Sequence, residues 1–284
     1  IDPEAFPSRW QWADQWLTKD ESRFGTSFGG IQPGREREFY NSHAPWLLRR
    51  KKSEVAPDLP PKKYRRRWVE MRPAQQRQYE EFEREAEIRL SGELMIATTK
   101  LAEWSRLKLM SFGSTRIVDG QHLPTFNSPK LQGLAKELHE RDTPTLVFSQ
   151  YARVVEVTAD FLEQEGFRVE RFSGKTKNRS DIVRRFQAGE IDVLVMVTKA
   201  AGVSITLDRA DWVDLLDETW NPNDQEQAED RAHRISRIHQ VTVTRWGTRR
   251  TLDERIAQLN LDKQAVNAKL LDEHRARLLT RTRT

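Results

Sequence analysis

Cysteine is missing altogether from the 284 residues. No disulfide framework and no thiolate-held metal can be built, and the absence fits a reducing interior. No apolar run is long enough to cross a bilayer, and no secretory leader is expected. A phosphate-loop glycine is lacking too. Ser173-Gly174-Lys175-Thr176 imitates the end of such a loop, but position 169, five before Gly174, holds Val169. Without that cradle, Leu215-Leu216-Asp217-Glu218 reads as a strand end rather than a magnesium-holding acid pair. Asp217 is then expected to cap a loop or to orient Trp220 and Asn221.

What is present is polar and basic. Charged residues make up 32%, hydrophobic residues 37%, and the net charge is +5. This composition suits a soluble globular chain of one and a half or two domains. The positive excess is modest but clustered, and clustering matters more to a nucleic acid than the total does. Arg49, Arg50, Lys51 and Lys52 form one cluster, and Lys62, Lys63, Arg65, Arg66 and Arg67 another. Either cluster can be a phosphate-contacting surface or an ordinary solvated loop. The chain starts at Ile1 rather than Met, as a piece of a longer protein would.

Residues 1 to about 45 are aromatic and polar, with Trp10, Trp12, Trp16, Phe24 and Phe28. The pattern predicts a short helix near 8–18 and a glycine-rich loop over Gly25–Gly34. Trp68–Met71 reads as a strand. Pro73 opens a helix to about 91, with Tyr79 and Phe82 on its apolar side, and a second helical pattern spans about 93–111. Residues 112–129, with Gly113, Gly120, Pro124 and Pro129, are punctuation and mark a domain boundary. From Ser128, continuous apolar runs alternate with helices. Strands are expected at 145–149, 168–172, 193–197, 212–216 and 241–246, with helices at 152–165, 178–188 and from about 252. Apolar strands separated by helices mean a parallel sheet covered on both faces. Ligands of such sheets collect at the carboxyl ends of the strands.

One stretch organises the rest: Trp220–Arg237, WNPNDQEQAEDRAHRISR. Asn221 is a good N-cap, Pro222 fits the first helical position, and Asp224 suits the positive helix start. The stretch reads as a helix, and inside it Gln227, Arg231 and Arg234 recur at spacings of four and three, so they share one face. A glutamine and two arginines in register make a multidentate anion clamp. By itself the pattern is equally that of a solvated charged helix.

The neighbouring motifs decide between these. WNP…QAEDRAHRI resembles the last conserved block of the SWI/SNF-like ATPases of helicase superfamily two, with Ser236-Arg237 where the family has Gly-Gln. FSQY (148–151) resembles the block entering the second lobe, and Ser173-Gly174 with Arg179 the family's glycine followed by an arginine. TKAAGVSITL (198–207) resembles T-K-A-G-G-x-G-L-N-L, with Ala201, Ser204 and Thr206 in place of glycine, glycine and asparagine. TRRTLDERI (248–256) is similar to the closing T-x-x-E-R-I. The stretch ending in DLPPK (58–62) is similar to the junction between motor lobes, and the helix pair to the family's helical insertion.

The resemblance implies a RecA-like parallel sheet with helices on both faces, preceded by a mostly helical segment. Residues 1–70 would be a remnant of the first lobe and its junction, 71–125 a helical protrusion, 126–260 the second RecA-like lobe, and 261–284 a brace helix and basic tail. The function implied is the C-terminal motor lobe of an ATP-dependent DNA translocase. Arg231 and Arg234 would act as arginine fingers, Gln227 would help position them or the nucleotide, and Gly202 and Asp230 would lie near ATP. Thr198, Lys199, Gln150, Arg179, Gly174 and Trp220 would lie nearest a DNA strand. ATP and Mg2+ would be held mainly by a first lobe whose motifs this chain lacks, so the chain alone is expected to be inactive and to hold no metal. Double-stranded DNA, bound without sequence preference, and the first lobe of the same parent are the expected partners; no membrane is. A monomer is expected, in cytoplasm or nucleoid, or in the nucleus of a eukaryote, with a phage source also in view. The competing reading is a non-catalytic DNA-binding module that kept a motor-like fold. A third is a small nucleotide hydrolase using Lys175 and Asp217.

Overall fold

The structure, a computed structural model, describes residues 8–22, 25–43, 52–91, 97–119, 121–202, 205–235 and 237–263. Arg49, Arg50, Lys51, Ser204, Ser236 and the tail beyond 263 lie outside the described residues. Two compact units divide in sequence between Pro57 and Asp58.

In the first unit, Ser8 caps α1 (Arg9–Trp16) by accepting from Gln11 N at 3.1 Å. The predicted short helix is therefore present. The predicted glycine-rich loop is not: Gly25–Ile31 forms strand β2, antiparallel to β1 (Leu17–Ser22). A Cβ at Gly29 would stand 2.5 Å from Thr18 Oγ1. The missing side chain thus lets the strands close, and glycine here marks close approach rather than a loop. Helix α2 (Glu36–His43) brings Phe39 and His43 against Trp12 and Trp16. Trp12 Nε1 donates to His43 Nε2 at 2.7 Å. Trp16 and His43 are buried and Trp12 and Phe39 half-buried around them, whereas Trp10 is exposed. A single turn, α3 (Lys52–Val55), ends the unit's described part.

The second unit opens with β3 (Lys63–Val69), followed by α4 (Pro73–Ser91) and α5 (Ala97–Phe112). A hairpin, β4 (Thr115–Val118) and β5 (Gln121–Pro124), occupies the stretch read as punctuation. Helix α6 (Pro129–Arg141) follows, capped by Ser128 and ended by Asp142 in the left-handed region at φ 40°. Pro129 therefore opens a helix as its first residue, which a reading of proline as a breaker misses. Then come β6 (Thr145–Ser149), α7 (Ala152–Gln164), β7 (Val169–Phe172), α8 (Arg179–Gln187) and β8 (Val193–Val197). A 3-10 turn (Thr198–Gly202), β9 (Trp212–Leu215), α9 (Pro222–Glu229), β10 (Thr242–Thr248) and a helix α10 over 252–263 complete it.

Six of these strands form one parallel sheet in the order β3-β10-β9-β6-β8-β7. Alternation along each strand divides the core in two. Leu146, Phe148, Leu194 and Met196 meet α8 and α9 through Ile182, Phe186 and Ala228. Val147, Val193 and Val195 meet α6 and α7 through Leu131, Leu134, Val155 and Leu162. The expected two-sided parallel sheet is therefore the fold. One edge differs from expectation. Strand β3, assigned from sequence to a junction before the lobe, is an edge strand of the lobe's own sheet, in register from Lys63↔Thr242 to Val69↔Thr248. A third cluster joins α4, α5 and α10 through Tyr79, Phe82, Leu107, Met110, Leu252 and Ile256, and Trp220 packs against it.

Candidate functional site

Parallel strands put all their carboxyl ends on one edge of the sheet, and the loops there carry the residues singled out from sequence. Gln150 follows β6, Gly174 follows β7, Thr198 and Lys199 follow β8, and the 216–221 loop follows β9. The structure gives these residues unequal freedom.

Gln150 is committed to the protein. Its backbone N–H and Nε2 donate to Asp217 Oδ1 at 3.1 and 2.8 Å, and Nε2 also donates to the Glu218 carbonyl. Asp217 further accepts from Ser149 Oγ. Asp217 therefore caps the loop after β6, which fits a structural role rather than a metal-binding one. Arg179 is committed as well. Its guanidinium donates to the carbonyls of Thr176, Ser173 and Gly174 and lies over the Phe172 ring. Gly174 sits in the exposed turn that this arginine closes. Ser173 N donates to Thr176 Oγ1 at 2.9 Å, so the false phosphate loop spends its donors on itself. Trp220 is half-buried, with its ring 5.2 Å from Trp104 and under the Lys108 ammonium. These contacts make Gln150, Arg179 and Trp220 supports of the edge in the structure as it stands. Thr198 is buried at the start of its 3-10 turn, and Lys199 beside it is exposed.

The arginine stretch departs from its sequence reading. Helix α9 starts as expected, with Asn221 Oδ1 accepting from Asn223 N, Pro222 in the first turn and Asp224 near the N-terminus. It ends at Glu229, however, so Arg231 and Arg234 stand beyond the helix and not on one face with the exposed Gln227. Tight turns take over: Arg231 N donates to Ala228 O, and Ala232 N to Glu229 O. Tertiary bonds replace the next helical turn. Leu207 N donates to Arg231 O at 3.0 Å, and Arg234 donates to Ile205 O at 2.9 Å. The arginine segment is thus bonded to the loop that continues from Thr198, Lys199 and Gly202. Asp230, just past the helix, accepts from Lys62 at 3.4 Å.

Arg231 and Arg234 each keep a buried Nε with no hydrogen-bond partner. No carboxylate lies within salt-bridge distance of either guanidinium among the described residues. Burial and then the like charge of Arg234 pull the Arg231 guanidinium below its ordinary value. Two half-buried cations side by side with unused donors are matched to an anion with several oxygens. Among the described residues no group of three His, Asp or Glu could hold a metal ion.

Sequence reasoning missed the roles of two residues here. Glu229 is buried and gathers Lys62, Tyr64 and Arg245 at 2.6, 2.9 and 3.2 Å. Arg237, where the related block has a glutamine, is buried, donates to Asp208 O and His239 O and pairs with Asp211. It pins the far end of the arginine segment. Arg237 stood out only as a departure from the family block and Glu229 not at all, because the partners that give them their roles are not marked by local pattern.

The Helicase conserved C-terminal domain family matches residues 129–236. A probable chromatin-remodeling complex ATPase chain of Oryza sativa subsp. japonica is 32% identical over 81% of this chain and 22% of its own length. The chromatin-remodeling ATPase INO80 of Neurospora crassa is 38% identical over 48% of this chain and 7% of its own length. The chain therefore spans about a fifth or less of these relatives. Among solved structures, the Sulfolobus solfataricus SWI2/SNF2 ATPase core in complex with dsDNA is similar at 25% identity and a TM-score of 0.61, over 81% of this chain and 50% of that one. The family match covers α6 through the arginine segment, and over 81% of its length the chain is similar to the SWI/SNF-like ATPases, its Helicase conserved C-terminal domain corresponding to their C-terminal half.

Proposed function

We propose that this chain is the second motor lobe of an ATP-dependent DNA translocase, and that Arg231 and Arg234 complete an ATP site held mainly by a first lobe. The observation that carries the reading is the pair of buried, unpartnered arginine Nε groups, held by backbone bonds to the 205–207 loop. Magnesium, entering with the nucleotide, would screen the phosphate oxygens. Arg231 and Arg234 would neutralise charge developing on the transferred phosphoryl group, a role worth about 10³-fold or more in rate. Gln227, Gly202 and Asp230 would border the nucleotide.

The same loop begins at Thr198 and Lys199. A hydroxyl and an ammonium at a strand's carboxyl end suit a DNA phosphate, which carries no sequence information. Duplex binding would then be independent of sequence and weakened by salt. The similar Sulfolobus solfataricus SWI2/SNF2 ATPase core, solved in complex with dsDNA, supports a duplex over a single strand. Gln150, Arg179, Gly174 and Trp220 would shape that edge, and contact DNA only where their present bonds allow. Movement of the arginine segment on ATP would reach Thr198 through Leu207 and Ile205. The relatives named as chromatin-remodeling ATPases support a nuclear location in a eukaryotic source; a phage source has no support among them. The chain would act as a monomer joined to its first lobe.

The test is ATP turnover by the 284-residue chain at low salt, with and without duplex DNA, beside a parent protein carrying both lobes. Turnover only in the two-lobed protein, with salt-sensitive DNA binding by the single lobe, is expected. DNA-stimulated turnover by the single lobe would refute the reading and direct attention to Lys175 and Asp217. A two-lobed protein that binds DNA but never turns over ATP would favour a non-catalytic binding module.

A further inference from the structure

The buried acid at the end of α9 is held from the far side of the sequence. Lys62 Nζ stands 2.6 Å from Glu229 Oε2 and 3.4 Å from Asp230 Oδ1, and Tyr64 donates to the same Glu229 oxygen at 2.9 Å. Around this pair, His233 Nε2 donates to Pro60 O at 2.8 Å, and Gln240 donates to Pro61 O at 3.0 Å. Lys63 N donates to Val241 O at 2.9 Å, where β3 begins its pairing with β10. The entry segment of the lobe therefore touches the arginine segment on both sides of Arg231: at Glu229 and Asp230 before it, and at His233 after it.

We propose that Pro60–Tyr64 is a latch in which Lys62 and Tyr64 are positioning residues, holding Glu229 and Asp230 so that Arg231 and Arg234 stand where the phosphates will be. The proposal rests on the function proposed above. Four features favour positioning over plain stabilisation. Arg231 and Arg234 lie outside any helix, so their placement depends on bonds to neighbours rather than on helical periodicity. Glu229 has a further cation in Arg245, so its charge stays compensated without Lys62, whereas Lys62 also bridges to Asp230. Lys62 is nearly buried, at 12% side-chain exposure, so its bridge is shielded from salt. Burial alone would lower its pKa, but Glu229 and then Tyr64 raise it above the usual lysine value, so the ammonium is charged throughout the working range. The segment is also the chain's entry into the lobe, so strain along the junction would act first on Glu229.

The experiment measures DNA-stimulated turnover and the KM for ATP in a parent protein with both lobes, for Lys62→Met, Lys62→Arg, Tyr64→Phe and Arg234→Ala. Lys62→Met is expected to lower kcat about tenfold to a hundredfold, as small misplacements of catalytic groups do, with KM little changed. Lys62→Arg keeps the charge and the reach, and is expected to restore most of the loss. Tyr64→Phe is expected to give a smaller loss of the same kind. Thermal melting tells whether each variant folds; where Lys62→Met does not, Tyr64→Phe carries the test. Unchanged kcat in a folded Lys62→Met protein, or in Tyr64→Phe where it stands alone, with Arg234→Ala inactive, would overturn the latch and leave the arginine assignment intact. Full turnover by Arg234→Ala would overturn the arginine assignment and the latch with it. A loss in Lys62→Met that Lys62→Arg does not recover would show packing rather than charge and would also overturn it.

Discussion

Gly247 of β10 stands directly across the ladder from Trp68 of β3, and the indole fills the place a Cβ at 247 would take. The pair is what lets β3 lie flush against the sheet with its large aromatic ring folded over its neighbour. A side chain on Gly247 would have to displace the Trp68 ring. Gly247→Ala is expected to cost about 1–3 kcal/mol, the usual cost of overpacking, read as a lowered urea midpoint. Because β3 leads directly from Lys62, the variant should also lower turnover in a two-lobed protein. An unchanged midpoint would mean that Trp68 swings free at no cost.

Lys130 of α6 donates at 2.6 Å to Asp253, which also accepts from Ser111 Oγ and Thr248 N. Lys130 has no exposed side-chain surface. Removing Lys130 would leave the buried Asp253 carboxylate without its ion-pair partner, so Lys130→Met is expected to destabilise by roughly 3–5 kcal/mol. The double variant Lys130→Met with Asp253→Leu should recover part of that loss, since an apolar pair replaces a buried ionic one. Equal denaturation midpoints for the single and double variants would show that the charge is not the cause.

Thr198→Ala with Lys199→Ala removes the two polar groups that open the loop bonded to the arginine segment. In a two-lobed protein, duplex affinity is expected to fall and the slope of affinity on salt to shrink by about one phosphate contact. Stimulation of ATP turnover by DNA should weaken with it. Normal DNA-stimulated turnover would assign the strand contact elsewhere.

His122 of β5 shares a bond of 3.1 Å with Thr115 of β4 and meets the edge of Phe82. Burial, and then the nearby Arg106 charge, lower its pKa from 6.5, against a smaller pull from Glu103. The unfolded chain then takes up a proton at higher pH than the folded one. His122 is neutral and compatible with the fold above pH 6.5, and its contribution is lost as the pH falls through that value. The melting temperature should fall more between pH 7.5 and 5.5 in the wild type than in His122→Gln. The same fall in both proteins would remove His122 as its source.

Much of the lobe was legible because its signals are local. TLVFS and VLVMV are apolar throughout, and both are buried strands with the predicted bounds. Pro73 opens α4 as predicted, and Asn221 with Pro222 starts α9. Gly29 of β2 misled, because close packing on Thr18 and a turn both call for glycine. Pro129 misled for the same kind of reason, since proline both breaks helices and begins them. The end of α9 was not legible at all. The spacing of Gln227, Arg231 and Arg234 satisfies a helix, but bonds from Leu207 and to Ile205 use the backbone and guanidinium groups that a further turn would leave alone.

The sequence by itself determined that this chain lacks a phosphate loop and that its strands are parallel and covered on both faces; the resemblance of its motif blocks implied a second motor lobe. The first two properties follow from residue type, period and spacing, which need no knowledge of distant partners. Only the tertiary structure decided that β3 joins the sheet, that Arg231 and Arg234 stand outside a helix, and that Lys62 meets Glu229 across 167 positions. Each of those depends on which distant groups satisfy a buried donor or charge. Desolvation makes that choice strict in the folded protein, while the linear order of residues leaves it open.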